Sequence, residues 1–239
     1  MRRRRLLDRR SGGGVVTTPL IDGAVWQLDL GMVNAFLVDD GEVTLVDAGT
    51  PRSPDDIRSS MAEIGYEPSD VDRVLITHYD LDHVGGITGL DLDAPIYVRE
   101  PDASYVEGSA SPSLTNRKGL FQRVVGVWLT PPDEPSHRIE DGDSIGGFDA
   151  HATPGHTAGH TAFVHEGLGI ALVGDLVRGD DGVLSPSPSP MTRSTARNAR
   201  SIRELAGREL DIDIVAMGHG DPVVEGGAAA LADLARRLE

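Results

Sequence analysis

Four short segments of this chain share one pattern, and they constrain it more than anything else in the sequence. Each leaves an apolar run of strand length, and each sets His or Asp beside Gly or Pro. Thr77, His78, Asp80, Asp82, His83, Gly85 and Gly86 follow the run 74–76. Thr153, Pro154, Gly155, His156, Gly159 and His160 follow a run through His151. Gly174 and Asp175 end a third run, and Gly218, His219 and Gly220 end a fourth. Glycine permits close backbone approach, and turns along one sheet edge can converge on a point. The chain has no cysteine. Imidazole and carboxylate without thiolate suit zinc, iron or manganese.

The rest of the chain reads as strand-rich layers with helices between them. Residues 24–30, 33–38 and 42–46 form a meander, broken by Gly31 and by Asp39, Asp40 and Gly41. Pro54 opens a helix with Ser53 as its cap, and Ile57, Met61 and Ile64 share one face before Gly65 closes it. Residues 120–129 read as an apolar helix within an insertion, 101–135. Strands are expected near 137–139, 148–153, 161–164, 170–173 and 212–216. Helices are expected at 193–206, capped by Thr192, and at 227–238. Residues 185–190 alternate Ser and Pro and read as a loop, because proline cannot donate ladder bonds. The strands come in two groups with no linker between them. One domain, 19–239, with two sheet layers is expected behind a basic tail, 1–18.

Composition narrows the function. A chain of 239 residues can bury roughly 70–75% of its unfolded surface, so a full core is within reach. Without cysteine there is no disulfide framework and no thiol nucleophile. No apolar run is long enough to span a membrane. The formal net charge of -16 disfavours a broad nucleic-acid surface. Lys118 is the single lysine. An acidic surplus with so little lysine resembles a cytoplasmic protein of a salt-loving organism, where salt screens self-repulsion; an ordinary acidic protein with an arginine bias is the alternative. Residues 1–10 hold six arginines but no apolar stretch long enough for an export signal.

The order of the four motifs resembles the metallo-β-lactamase-fold hydrolases. Their pattern is His-x-His-x-Asp-His, a His after Pro-Gly, a Gly-Asp and a final Gly-His. The likeness runs from about Ala24 to the C-terminus and includes Asn34, Asp47, Ala48 and Gly49. It implies a four-layer αββα sandwich of the α/β class with two divalent ions at the sheet edge, zinc foremost and iron or manganese as alternatives. By resemblance one ion takes His78, Asp80 and His156, and the other takes Asp82, His83 and His219, with Asp175 bridging. Asp47, Thr77 and His160 resemble residues that orient those ligands. His151 is expected beside the site, whereas His137 and His165 have no motif around them.

Asp80 departs from the family, which places His there. A decayed site that binds one metal or none is the alternative; some relatives, the flavo-diiron proteins, place Glu here and use iron, so Asp80 shifts preference toward iron or manganese. The resemblance implies a hydrolase in which a hydroxide held between the ions attacks an ester, thioester, lactone or phosphoester, positioned by Asp82. With about twenty residues after His219, the glutathione-binding helical domain of glyoxalase II is not expected. An iron oxidoreductase of the same fold, either a persulfide dioxygenase or a diiron protein, and a nuclease or nucleic-acid-binding member are the alternatives. The expected partner is a small-molecule substrate. Its specificity would come from 101–135 and 183–191, with Tyr105, Phe121 and Trp128 available to line an apolar pocket.

Overall fold

A computed structural model describes residues 15–133 and 135–239. The arginine-rich stretch 1–10 lies outside the described residues. Strand β1 (Val16–Ile21) pairs with β2 (Val25–Asp29) from Val16 onward, so the tail expected at 1–18 overlaps the first strand. β3 (Asn34–Asp39) and β4 (Val43–Val46) continue the meander. Helix α1 (Pro54–Glu63) leads to β5 (Val71–Leu75), then short α2 (Leu81–Val84) and α3 (Ile87–Leu90), and β6 (Ile96–Arg99). Helices α4 (Asp102–Val106) and α5 (Arg117–Val125) precede β7 (His137–Ile139). Strands β1 to β7 form one sheet in sequence order, antiparallel up to β4 and parallel from β4 to β7.

The second sheet contains β8 (Ser144–Ile145), β9 (Phe148–Ala152), β10 (Thr161–His165), β11 (Ile170–Leu172) and β14 (Ile214–Ala216), in the order β14-β11-β10-β9-β8. β12 (Val177–Asp180) and β13 (Val183–Pro186) form a separate ribbon, and α6 (Thr195–Ala206) and α7 (Gly227–Arg237) complete the chain.

Strand alternation builds the layers. In β3, Phe36 and Val38 face the second sheet, while Ala35 and Leu37 pack under α1 and α3. In β10, Phe163 faces inward while Ala162 and Val164 meet α6 and α7. Three apolar clusters result, one between the sheets and one on each outer face: an αββα sandwich. Among the described residues no helix is long and apolar enough to cross a membrane.

Several local expectations change. Ser53 sits at the start of α1 but caps no helix amide; its Oγ accepts from the Thr50 amide at 3.0 Å, and Pro54 supplies the first-turn preorganisation. α6 starts after Ser194, not Thr192, and the Ser194 side chain accepts from the Arg197 amide. Ser185 and Pro186 belong to β13, which among the described residues pairs only with β12, so this edge of the ribbon tolerates proline. The apolar helix expected at 120–129 is α5 followed by a 3-10 turn, and it is turned outward. Leu120, Phe121, Val124, Val127 and Trp128 are exposed, while Lys118 and Gln122 are buried.

Candidate metal centre

The loops after β4, β5, β9, β11 and β14 meet at one edge of the sandwich. They bring together the seven expected ligand positions, which fall into two groups: His78, Asp80, His156 and Asp175, and Asp82, His83 and His219. In each group one donor atom per residue lies within 4.8 Å of the others. Asp175 stands between the groups: its Oδ1 is 3.4 Å from His83 Nε2, and its Oδ2 is 3.5 Å from His156 Nε2 and 3.3 Å from His219 Nε2. Asp82 Oδ2 lies 3.3 Å from His219 Nε2 and is the most open of these carboxylates, about one third exposed.

Glycine makes this density possible. A Cβ on Gly218 would stand 2.5 Å from both Asp175 Oδ1 and His83 Cε1. One on Gly174, whose φ is +47°, would stand 2.6 Å from Thr77 Oγ1.

The rings are oriented from behind. Asp47 follows β4 in the left-handed region (φ 58°), which Asp tolerates better than most residues. Its Oδ1 accepts from the Thr77 amide at 2.9 Å. Its Oδ2 accepts from Thr77 Oγ1 at 2.8 Å and from His83 Nδ1 at 2.7 Å. The Thr77 hydroxyl is spent as a donor on Asp47, so it accepts from His78 Nδ1 at 2.9 Å. One carboxylate therefore fixes both rings with Nε2 facing the centre. His219 Nδ1 donates to the Met32 carbonyl at 2.7 Å, which turns its Nε2 inward as well. His160 has a different place. Its Nε2 accepts from the Asp175 amide at 3.1 Å, and its Nδ1 contacts Thr153 Oγ1 at 2.8 Å, so both nitrogens are engaged with the scaffold.

His78 Nε2, His83 Nε2 and Asp175 Oδ1 are buried with no hydrogen-bond partner. Orphaned buried polar atoms are costly, and here they converge. Asp82, His83 and His219 beside Asp175 therefore fit a divalent ion. The other group fits less well, because the Lys118 ammonium contacts Asp80 Oδ2 and lies 3.0 Å from His156 Nε2.

Burial opposes charge throughout, and neighbours decide the outcome. Burial, with His83 adding to it, pushes His78 down to about 4. At His83 burial is overcome by the Asp47 and Asp175 carboxylates, which hold it well above the ordinary imidazole range. His219 is likewise pulled against burial up to about 9 by hydrogen bonds to Asp175 and Asp82. Burial would raise Asp175, but His83 and His156 hold it well below the usual carboxylate range. Asp80 is also held low against burial, first by Lys118 and then by His156 and His78.

Sequence reasoning missed Asp102, Gln122 and Lys118 as contributors. Asp102 is buried and ties two ligand loops together, accepting from the Tyr79 amide at 2.9 Å, Thr157 Oγ1 at 2.6 Å and the Gly159 amide at 2.9 Å. Asn34 joins β3 to the last loop through the carbonyls of Met217 and Gly220.

His151 is not beside the centre; it stands on β9 with Arg208, Asp141, Asp149 and Glu166 as its charged neighbours. His165 pairs with Asp40 at 3.0 Å. Tyr105 lines a cavity of about 320 Å³ with Tyr79, Val127 and Leu129, but Phe121 and Trp128 stay outside it in solvent. A cavity of about 490 Å³ near α3 and β6 touches none of the donors.

Known proteins share this arrangement of elements. The chain is 26% identical over 261 residues to the probable metallo-hydrolase YflN of Bacillus subtilis (strain 168), covering 98% of this chain and 96% of that one. It is 28% identical over 184 residues to a hydroxyacylglutathione hydrolase of Pseudomonas syringae pv. syringae (strain B728a), covering 75% and 58%. Among solved structures, a B3 metallo-beta-lactamase with an active-site glutamic acid superposes with a TM-score of 0.67 at 24% identity, covering 90% and 86%. A protein solved in a di-iron-bound form gives 0.62 at 26% identity, covering 82% and 92%. The family model for the metallo-beta-lactamase superfamily matches residues 28–219, and the chain belongs to that superfamily.

Proposed function

We propose that this chain is a metal-dependent hydrolase acting on an ester-type bond of a small molecule: an ester, thioester, lactone or phosphoester. The observation that carries this reading is that His83 Nε2 and Asp175 Oδ1, buried, 3.4 Å apart and without a hydrogen bond, converge with His219 and Asp82. A divalent ion there supplies Lewis acidity and makes water a nucleophile at neutral pH. The chain's own residues do the positioning. Asp82, the carboxylate open to solvent, accepts a hydrogen bond from incoming water and orients it toward the substrate. Asp47 and the Met32 carbonyl keep His83 and His219 from rotating. Ser187, in the segment after β13, donates to the Asp175 carbonyl and ties that segment to the centre.

The imidazole-rich set favours zinc, and its carboxylates also suit iron or manganese. One relative is named for hydrolysing hydroxyacylglutathione, which puts thioesters first on a substrate panel. The acidic, lysine-poor composition supports a cytoplasmic protein of a high-salt cell; its melting temperature should rise from dilute buffer to molar KCl, and no rise would sink that reading.

The functional test is metal analysis by mass spectrometry, followed by thioester, lactone and phosphodiester substrates with and without chelator. Hydrolysis that chelation removes and the same ion restores supports the reading. Asp175→Ala should lose both bound ion and activity. Full activity in that variant, or iron-dependent oxygen uptake without hydrolysis, would overturn it.

A further inference from the structure

Lys118 has no part in the chemistry above, yet its side chain is almost fully buried against the candidate ligands. Its Nζ contacts Asp80 Oδ2 and lies 3.0 Å from His156 Nε2. One helical turn on, Gln122 Nε2 donates to Asp80 Oδ1 at 2.9 Å and also to the Tyr79 carbonyl. Both oxygens of Asp80, the residue that departs from the family pattern, are thus engaged from a single face of α5.

The chemistry of the donors makes this exclusive. An ammonium only donates, and an imidazole nitrogen has one in-plane lone pair. His156 Nε2 lies 3.0 Å from Asp80 Oδ2 as well as from Lys118 Nζ; whether it donates to the one or accepts from the other, its single position is then not free for an ion. Asp80 Oδ2 carries the same cation. Asp80 keeps lone pairs to spare, but an ion bound there would sit against the ammonium, and of the four donors in that group His78 and Asp175 alone are clear of that charge. Charge points the same way. The Lys118 ammonium already stands on Asp80, so a second divalent ion in that group would face like charge at contact distance in a buried site where charge is costly.

We propose that this centre holds one divalent ion, at Asp82, His83 and His219 beside Asp175, and that the Lys118 ammonium takes the place of a second ion beside His78, Asp80 and His156. The inference rests on the reading of the chain as a metal-dependent hydrolase. In place of an exchangeable ion the chain carries a tethered cation that chelators cannot remove. Asp80 then serves as the counter-ion that holds Lys118.

The test is to saturate the full chain with Zn(II) or Mn(II), remove unbound ion, and count metal per chain. The wild type should hold one ion, with a Mn(II) electron paramagnetic resonance spectrum of isolated ions. Lys118→Met should hold two, with a spin-coupled spectrum. Asp80→His/Lys118→Met, which leaves no unpaired carboxylate, should also hold two and covers the case in which the single variant fails to fold. Two ions in the wild type would overturn the inference and leave the hydrolase reading standing. One ion in all three proteins would also overturn it, because Lys118 would then not be what excludes the second. No ion in the wild type under saturation would overturn the hydrolase reading itself.

Discussion

Helices α5 and α6 are built on opposite plans. α6 turns Ile202 and Leu205 inward, with Asn198 and Ser201, onto the outer face of the second sheet. α5 turns Lys118 and Gln122 inward and leaves Leu120, Phe121 and Val124 in solvent. A helical pattern reveals that two faces differ but not which one is buried. The surface beneath decides: under α6 it is apolar, and under α5 it is the Asp80 carboxylate. α6 is therefore held by buried area and α5 by charge-assisted hydrogen bonds.

Removing each anchor should break this contrast in a graded way. The largest loss is expected for Asp80→Ala, which strands the buried Lys118 ammonium. Denaturant unfolding with chelator present should show a destabilisation of about 3–5 kcal/mol. Ile202→Ala opens a cavity under α6 and should cost about 2–5 kcal/mol by the same measurement, whether or not metal is present.

Both helices have side-chain caps, Asn116 to the Gly119 amide at 2.8 Å and Ser194 to the Arg197 amide at 3.3 Å. Alanine at either position should cost roughly 1 kcal/mol. Equal losses would show that the helices differ only in what lies beneath them, and a much larger loss at Asn116 would show α5 to be the weaker helix.

The segment that leaves α5 is fixed to α4 through Glu107, which accepts from the Ser136 amide at 2.7 Å and pairs with Arg138. The Arg138 hydrogen bond, helped by Ser136 against burial, pulls Glu107 from 4.5 to about 2. A carboxyl depressed in the folded state contributes stability above its unfolded value, and that contribution fades as pH falls toward the folded one. Melting curves of wild type and Glu107→Gln should therefore differ most above pH 4.5 and converge near pH 2. A constant gap across that range would assign the difference to packing. The smallest effect is expected for Val124→Ser on the exposed face of α5, within about 0.5 kcal/mol. A larger loss would mean that this face is covered in solution.

The convergence of the seven candidate residues was legible because each motif is local. His78 to His83 occupy one turn after β5, His156 follows Pro154 and Gly155, and Asp175 and His219 each follow a glycine. Short range fixes what such residues can do, and the strands before them fix where they point. His151 was misplaced for the opposite reason. It lies within a strand, where alternation sends successive side chains to opposite faces, and its nearness in sequence to the β9 loop says nothing about which face it takes.

By itself, the sequence indicated two groups of strands in two layers, the turn glycines and the seven candidate donors, because these depend on strand periodicity and on motifs a few residues long. Only the tertiary structure decided that α5 turns its polar face inward and that Lys118 reaches Asp80 and His156, each 38 residues away. The sequence hint, a lone lysine four residues before a glutamine in an arginine-rich chain, has no meaning until a buried carboxylate is placed beneath it. A side chain's partner across the fold is set by how layers pack, and no local pattern encodes that distance.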